Sequence, residues 1–224
     1  MARIESYIVP DTLYRYRKLR GDGKLDQVIG AITEAQLYCA PFTQLNDPME
    51  GIYTATPEFR ESDAHFQLRL AIRANKLGIG LCSFSEVNDN ELMWAHYGDE
   101  FHGVCVAYDF SLLLRNLSND VRFVRMSYSE EEPKATNTGH AVDLLARRSL
   151  SSKSYKWLYE REWRMFGEQG LNSYNDRSCV TAVYLGYRVS DRHRDKVRAA
   201  MEGLNIRVHQ MTLKKYSIAF DEDE

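Results

Sequence analysis

Residues 81–109 read LCSFSEVNDNELMWAHYGDEFHGVCVAYD. The opening LCSFS, part of the longer GIGLCSFSE, is a strand of small and apolar residues. NDNELMWAHYGDE reads as a short helix, started by Asn or Asp, carrying Leu92 and Met93, and stopped at Gly98. HGVCVAYDF, which ends the stretch and runs to Phe110, is a near-continuous apolar strand. Strands and short helices in irregular order predict an α+β domain rather than a regular βαβ array.

The same grammar extends outward on both sides. TLYRYR (12–17) is a strand that puts Tyr14 and Tyr16 on one face and Leu13, Arg15 and Arg17 on the other. LDQVIGAITEAQL repeats Leu25, Val28, Ile29 and Ile32 at helical spacing, QLYCAPF is a strand stopped at Pro41, and QLNDPMEG is a polar turn. Residues 57–77 form a helix with Phe66, Leu70 and Ile72 as its apolar positions. After a short helix at 111–117, VRFVRMSYS alternates as a strand, SEEEPKATNTGHA is a loop, and AVDLLARRSLSSKS is a helix running into the next stretch. GEQGLNSYNDRS is a polar turn, followed by strand CVTAVYLGY, a helix over SDRHRDKVRAAMEGL led by its Asp and ended at Gly203, and strand IRVHQMTL. Residues 1–218 are expected to form one domain, and 219–224 a solvated acidic tail.

Bulk properties narrow the class. The 224 residues are 44% hydrophobic and 27% charged, which is the composition of a folded chain that needs no staple. A net charge of -3 gives no global reason to bind nucleic acid, although 15–24 and 147–164 are locally basic. Fourteen tyrosines suit either a strand-rich core or a site that stacks on flat ligands. Cys39, Cys82, Cys105 and Cys179 are far apart, without CxxC or zinc spacing, and read as buried thiols in a reducing cytoplasm. No apolar leader or run of eighteen apolar residues occurs, so a cytoplasmic protein that does not engage membranes is expected.

Chemistry concentrates in KSYKWLYEREWRMF, residues 153–166, where Glu160 and Glu162 flank Arg161. As a helix, the stretch turns the two glutamates about 200° apart and pairs Glu160 with Arg164 on a plain surface. As a strand, it puts Glu160, Glu162 and Arg164 on one face, and paired carboxylates can then stabilise an oxocarbenium-like centre. In SFSE, Ser83 and Ser85 share a strand face and could contact a ligand, or simply face water. WAHY (94–97) offers Trp94, His96 and Tyr97, either as packing or as a stacking wall. Asp47 in the NDP of Asn46–Pro48 has no partner at ligand spacing, which reads as an Asx turn and not as a metal site. P-loop, GxGxxG, HExxH and GxSxG patterns are absent.

Taken in order, LYRYR, LYCAPFTQLNDPME, LCSFSEVNDNELMWAHYGDEFHGVCVAYD, KWLYEREWRMF and VTAVYLG resemble the bacterial family labelled domain of unknown function 2971. More distantly, the order of features resembles the ADP-ribosyltransferase superfamily: LYRYR and its helix are similar to the opening strand, CSFSE stands at the serine motif, and YEREWR supplies an ExE. That resemblance implies a split, mixed or antiparallel sheet with short helices, and NAD as substrate without a metal. It implies that Tyr14 and Arg15 contact NAD, that Ser83 and Ser85 line the nicotinamide pocket, that Glu162 is catalytic, and that Glu160 activates the acceptor. Trp94, His96 and Tyr97 would complete the NAD pocket. Asn46, Asp47, Lys153, Arg161 and Arg164 would meet the acceptor, a nucleic acid or protein, as in a toxin or phage-defence effector. The alternative is a noncatalytic module gripping nucleic acid or a protein through Arg15, Lys153, Arg161 and Arg164.

Overall fold

The computed structural model of the chain describes residues 9–55, 57–60, 63–135 and 141–221. Its strands are β1 (Thr12–Arg17), β2 (Gln36–Pro41), β3 (Thr54–Ala55), β4 (Gly80–Ser85), β5 (Val104–Asp109), β6 (Arg122–Arg125) and β7 (Ser127–Ser129). They continue with β8 (Lys134–Ala135), β9 (Ser152–Ser154), β10 (Glu162–Gly167), β11 (Gly170–Ser173), β12 (Val180–Leu185), β13 (Arg207–Lys214) and β14 (Ser217–Phe220). The helices are α1 (Lys24–Thr33), α2 (Pro57–Arg60), α3 (Asp63–Gly78), α4 (Glu91–His96), α5 (Phe110–Asn116), α6 (Val142–Leu150) and α7 (Asp191–Glu202). The α+β class is borne out: among the described residues the strand pairing is mixed and largely antiparallel. The chain divides into two compact units, residues 9–35, 85–117 and 174–221 in the first, 36–84 and 118–173 in the second.

In the first unit β1 lies antiparallel to β5 with Tyr14 opposite Ala107, and β5 lies antiparallel to β12. β12 runs parallel to β13 through the α7 crossover, and β14 folds back on β13. Apolar residues at helical spacing, Leu25, Val28 and Ile32 of α1 and Val197 and Met201 of α7, are buried, as the periodicity requires. Asn90 caps α4 by accepting from the Met93 amide, and Ser190, not the Asp that follows it, caps α7 by accepting from the His193 amide.

The loop between α4 and β5 makes one left-handed turn without glycine: Asp99, Glu100 and Phe101 have φ of 57°, 53° and 70°. Side chains disfavour this conformation by about 1–2 kcal/mol per residue, so the turn must be held from outside. The Arg20 amide and guanidinium donate to the Asp99 carboxylate at 2.9 and 3.1 Å, and the Arg188 amide donates to the Phe101 carbonyl at 2.9 Å. This pair keeps the Asp99 carboxyl below its ordinary range: burial would raise it, but its hydrogen bonds with Arg20 outweigh that.

In the second unit β11, β2 and β4 pair in that order, Ala40 facing Leu81, and β10 pairs with both β4 and β6. Two short parallel ribbons, β7 with β9 and β3 with β8, stand apart from these pairs. Ile72 of α3, Leu145, Ala146 and Leu150 of α6, and Leu81 and Phe166 of the strands form the core.

Four expectations change. The helix of AVDLLARRSLSSKS ends at Leu150, because Ser152–Ser154 pairs as β9 with β7. GLNS is not a turn but β11, ordered by its ladder to β2. Phe66 and Leu70 of α3 are exposed, whereas His65, Ile72 and Lys76 are buried. Phe220 belongs to β14, and Asp221 is fixed by accepting from the Gln210 amide; the rest of the expected acidic tail, 222–224, lies outside the described residues.

A β-carbon on Gly186 would lie 2.3 Å from the Phe101 carbonyl oxygen, the atom that anchors the left-handed turn. Gly186→Ala is therefore expected to cost about 3 kcal/mol, read as a lower urea midpoint at unchanged m value.

Candidate functional site

The stretch 153–166 is neither one helix nor one strand. Residues Tyr155–Glu160 wind as a 3-10 turn, Arg161 takes a left-handed conformation with φ 45° and ψ 47°, and β10 begins at Glu162. Across this kink Glu160 and Glu162 both reach the Lys153 ammonium, although only Glu162 is on the strand. Both are 3% exposed.

Five charged side chains meet there. Lys153 Nζ lies 2.5 Å from Glu160 Oε2, 3.3 Å from Glu50 Oε1 and 3.5 Å from Glu162 Oε2. Arg164 lies 2.7 Å from Glu162 Oε1 and 2.6 Å from Glu50 Oε2, and its Nη1 also donates to the Leu150 carbonyl at 2.7 Å. The Glu162 amide donates to the Tyr128 hydroxyl at 2.8 Å, and the Ser83 hydroxyl hydrogen-bonds the Glu162 carboxylate. Among these five side chains three carboxylates face two cations.

Burial alone would raise the Glu162 carboxyl, but Arg164, Lys153 and Ser83 outweigh it and hold it below the ordinary carboxylate range. Burial likewise works to discharge Lys153, and Glu162, Glu50 and Glu160 together push its ammonium above the ordinary range instead. At neutral pH Glu162, Lys153 and Arg164 are therefore charged. Tyr128 is pushed up by burial and stays a neutral phenol.

The cluster has two approaches from solvent. Ser83 is exposed although its neighbours in β4 are buried, so its hydroxyl is a surface group resting on a buried carboxylate. On another side, Glu50 and Lys153 form part of the wall of a cavity of about 430 Å³, shared with Asp47, Tyr155, Trp157 and the loop Glu130–Pro133. The Lys153 ammonium sits over the Trp157 ring, 4.8 Å from its centroid.

The second unit therefore brings together Ser83, Lys153, Glu160, Glu162 and Arg164 of the residues expected at the site. Asp47 lines the cavity and forms the Asx turn read from NDP, accepting from the Met49 amide at 2.9 Å; Asn46 precedes it. Lys153 and Arg164, expected at the surface as acceptor contacts, are interior residues committed to carboxylates, whereas Arg161 is exposed.

Tyr14, Arg15, Ser85, Trp94, His96 and Tyr97 belong to the first unit. Tyr14 stands opposite Ser85, packs edge-on against Tyr184, and has its phenol pushed up to about 12 by burial. Ser85 is buried and accepts from the Val87 amide, so it does not present its hydroxyl as Ser83 does. Arg15 is half-buried near Tyr174, whose phenol is pushed up by burial, a shift that Arg15 only partly offsets. Trp94 is a core residue with no exposed surface: its indole donates to the Asn88 carbonyl at 2.6 Å, and Tyr16 and Phe101 cover it. His96 is exposed, and its ring meets that of half-buried Tyr97 edge-on.

Residues 93–165 match the model of a family described as protein of unknown function (DUF2971). The family resemblance drawn from the sequence is borne out over that span, which holds Tyr128, Lys153, Glu160, Glu162 and Arg164. No curated protein and no solved structure matches the chain. Among the described residues no helix is long and apolar enough to cross a membrane, and no group of three or more His, Cys, Asp or Glu is arranged to hold a metal ion.

Glu50 and Tyr128 complete the cluster and were not singled out in the sequence. Glu50 ends a turn-like segment without periodicity, so no local pattern marks it, and a charge count does not call for it either, because Glu160 and Glu162 already match Lys153 and Arg164.

Arg164→Met leaves Glu50 and Glu162 facing Lys153 alone, and is expected to cost about 3–5 kcal/mol in urea denaturation. Because the folded pKa of Glu162 is depressed, its stabilisation is complete above the unfolded carboxylate pKa and is lost as pH falls through the carboxylate range; Lys153, raised in the fold, loses its share only at strongly alkaline pH. The urea midpoint is thus expected to fall steeply below about pH 5, and less steeply in Glu162→Gln.

Proposed function

We propose that the chain is an ADP-ribosyltransferase-like enzyme acting on NAD. The observation that carries this reading is the contact of the Ser83 hydroxyl with the Glu162 carboxylate, the first serine of SFS against the second glutamate of ERE, inside a buried cluster of charged side chains. In this reading the bond between nicotinamide and C1′ of its ribose breaks, and the bonding pair leaves with neutral nicotinamide. The positive charge that develops at C1′ is stabilised by Glu162, held ionised and aimed by Ser83 and Arg164. An acceptor hydroxyl or amine then forms the new bond to C1′ and loses its proton to Glu160. The acceptor is a nucleic acid or protein, and the setting is a cytoplasmic toxin or phage-defence effector.

A second reading is favoured by one observation: Glu162 is matched at 2.7 Å by Arg164 and is almost wholly buried, which is how a structural ion pair is built. Here the chain is a noncatalytic module binding nucleic acid or a protein.

Nicotinamide release from NAD by the purified chain separates the two. Turnover is expected, and Ser83→Ala should lower it about 10-fold with a Tm change of only a few degrees. Glu162→Gln should lower it at least ~100-fold, with a lower Tm from the broken ion pair. A chain that releases no nicotinamide, or a Glu162→Gln variant as active as the native protein, sinks the enzymatic reading; salt-sensitive nucleic-acid binding without NAD consumption would then establish the second.

A further inference from the structure

Helix α3 is inside out. Its fully buried positions are His65, Ile72 and Lys76, two of them polar, with Leu68 partly buried against the core, while Phe66, Leu70 and Leu77 are 57%, 50% and 48% exposed. At about 100° per residue, positions 66, 70, 73 and 77 fall within a stripe about 60° wide, turned about 100° away from the buried side.

The buried polar groups show why the helix keeps this orientation. Lys76 Nζ donates to the Gly51 carbonyl at 2.7 Å and lies 5.4 and 5.5 Å from the ring centroids of Phe42 and Tyr53. His65 Nδ1 is 3.1 Å from the Arg60 carbonyl oxygen. Turning the helix to bury Phe66 and Leu70 would take the Lys76 ammonium from the Gly51 carbonyl and the two rings, and His65 from the Arg60 carbonyl. The inner face is fixed by polar anchoring, and the apolar stripe is left for something else to cover.

We propose that the outer face of α3 docks an acidic amphipathic helix of a partner protein. Arg73 lies within the stripe and Arg69 beside it, both exposed, so the apolar surface carries positive charge. A carboxylate-flanked helix satisfies both features, and sixteen residues at 1.5 Å each give about 24 Å of seam, enough for three turns of helix-on-helix contact. A second copy of this chain would bring the same arginines against one another. An anionic membrane gains about 1 kcal/mol per basic residue, and two arginines offset by Asp63 supply too little.

The test uses a fluorescein-labelled peptide of about 18 residues, with leucines at i, i+4, i+7 and i+11 and glutamates on both flanks, titrated with the full chain in fluorescence anisotropy. A micromolar Kd is expected, weakened at least ~10-fold by Leu70→Asp and by Arg73→Glu, with the Tm of both variants unchanged because the positions are exposed. A second peptide with lysines for the glutamates should bind the native chain at least ~10-fold more weakly and regain affinity for Arg73→Glu. The proposal is overturned by no binding up to ~1 mM, by equal binding of the two peptides, or by an acidic-peptide affinity that Leu70→Asp leaves unchanged. Sedimentation with phosphatidylserine vesicles, or a dimer that Leu70→Asp dissociates, overturns it in favour of a membrane or a second copy.

Discussion

The second unit depends on keeping Arg164 charged in an interior from which water is excluded. A guanidinium cannot discharge itself, so the fold must bring carboxylates to it, and Glu162 and Glu50 arrive from segments more than a hundred residues apart in the chain. Lys153 then neutralises much of the negative charge those carboxylates import, and Glu160 adds its own. The result ties the turn after β2, ribbon β9, the 3-10 turn and β10 into one electrostatic assembly. Replacing it piecemeal is expensive, because each member is the counter-ion of at least one other.

Such an assembly is a poor choice if stability alone is wanted, since apolar residues of the same volume would fill the space without paying desolvation. Its value lies in holding the Glu162 carboxylate ionised in a fixed position. That property suits chemistry in which positive charge appears briefly, and equally suits a rigid binding surface. The exposed hydroxyl of Ser83 on Glu162 tilts the balance towards chemistry, because it leaves the buried carboxylate one side chain away from solvent.

Much of the fold was legible because its signals are local. The cap at Asn90, the apolar run of β5, the periodicity of α1 and α7 and the stop at Pro41 each act within a few residues of the element they define. What escaped was decided by distant partners. GLNS reads as a turn until β2 is beside it, and SKS reads as the end of a helix until β7 pairs with it. Phe66 and Leu70 misled because hydrophobicity ordinarily chooses the buried face, whereas in α3 the choice was made by the partners waiting for Lys76 and His65. At the site, the residue types were visible in ERE and SFS, but not their burial: Lys153 and Arg164 look like surface cations until Glu50 is supplied. Trp94 looks like a stacking wall until Tyr16 and Phe101 close over it.

The left-handed residue between the two glutamates gives the ExE pattern a different meaning. Arg161 is exposed, and its position demands a backbone with positive φ. Its backbone accepts glycine, asparagine and unbranched polar residues more readily than valine, isoleucine and threonine, whose branched β-carbons do not tolerate the turn. The spacing itself has no such latitude, since one residue more or fewer would swing Glu160 out of the interior. The signature is thus better written as two buried carboxylates around a residue whose backbone conformation lets both reach Lys153.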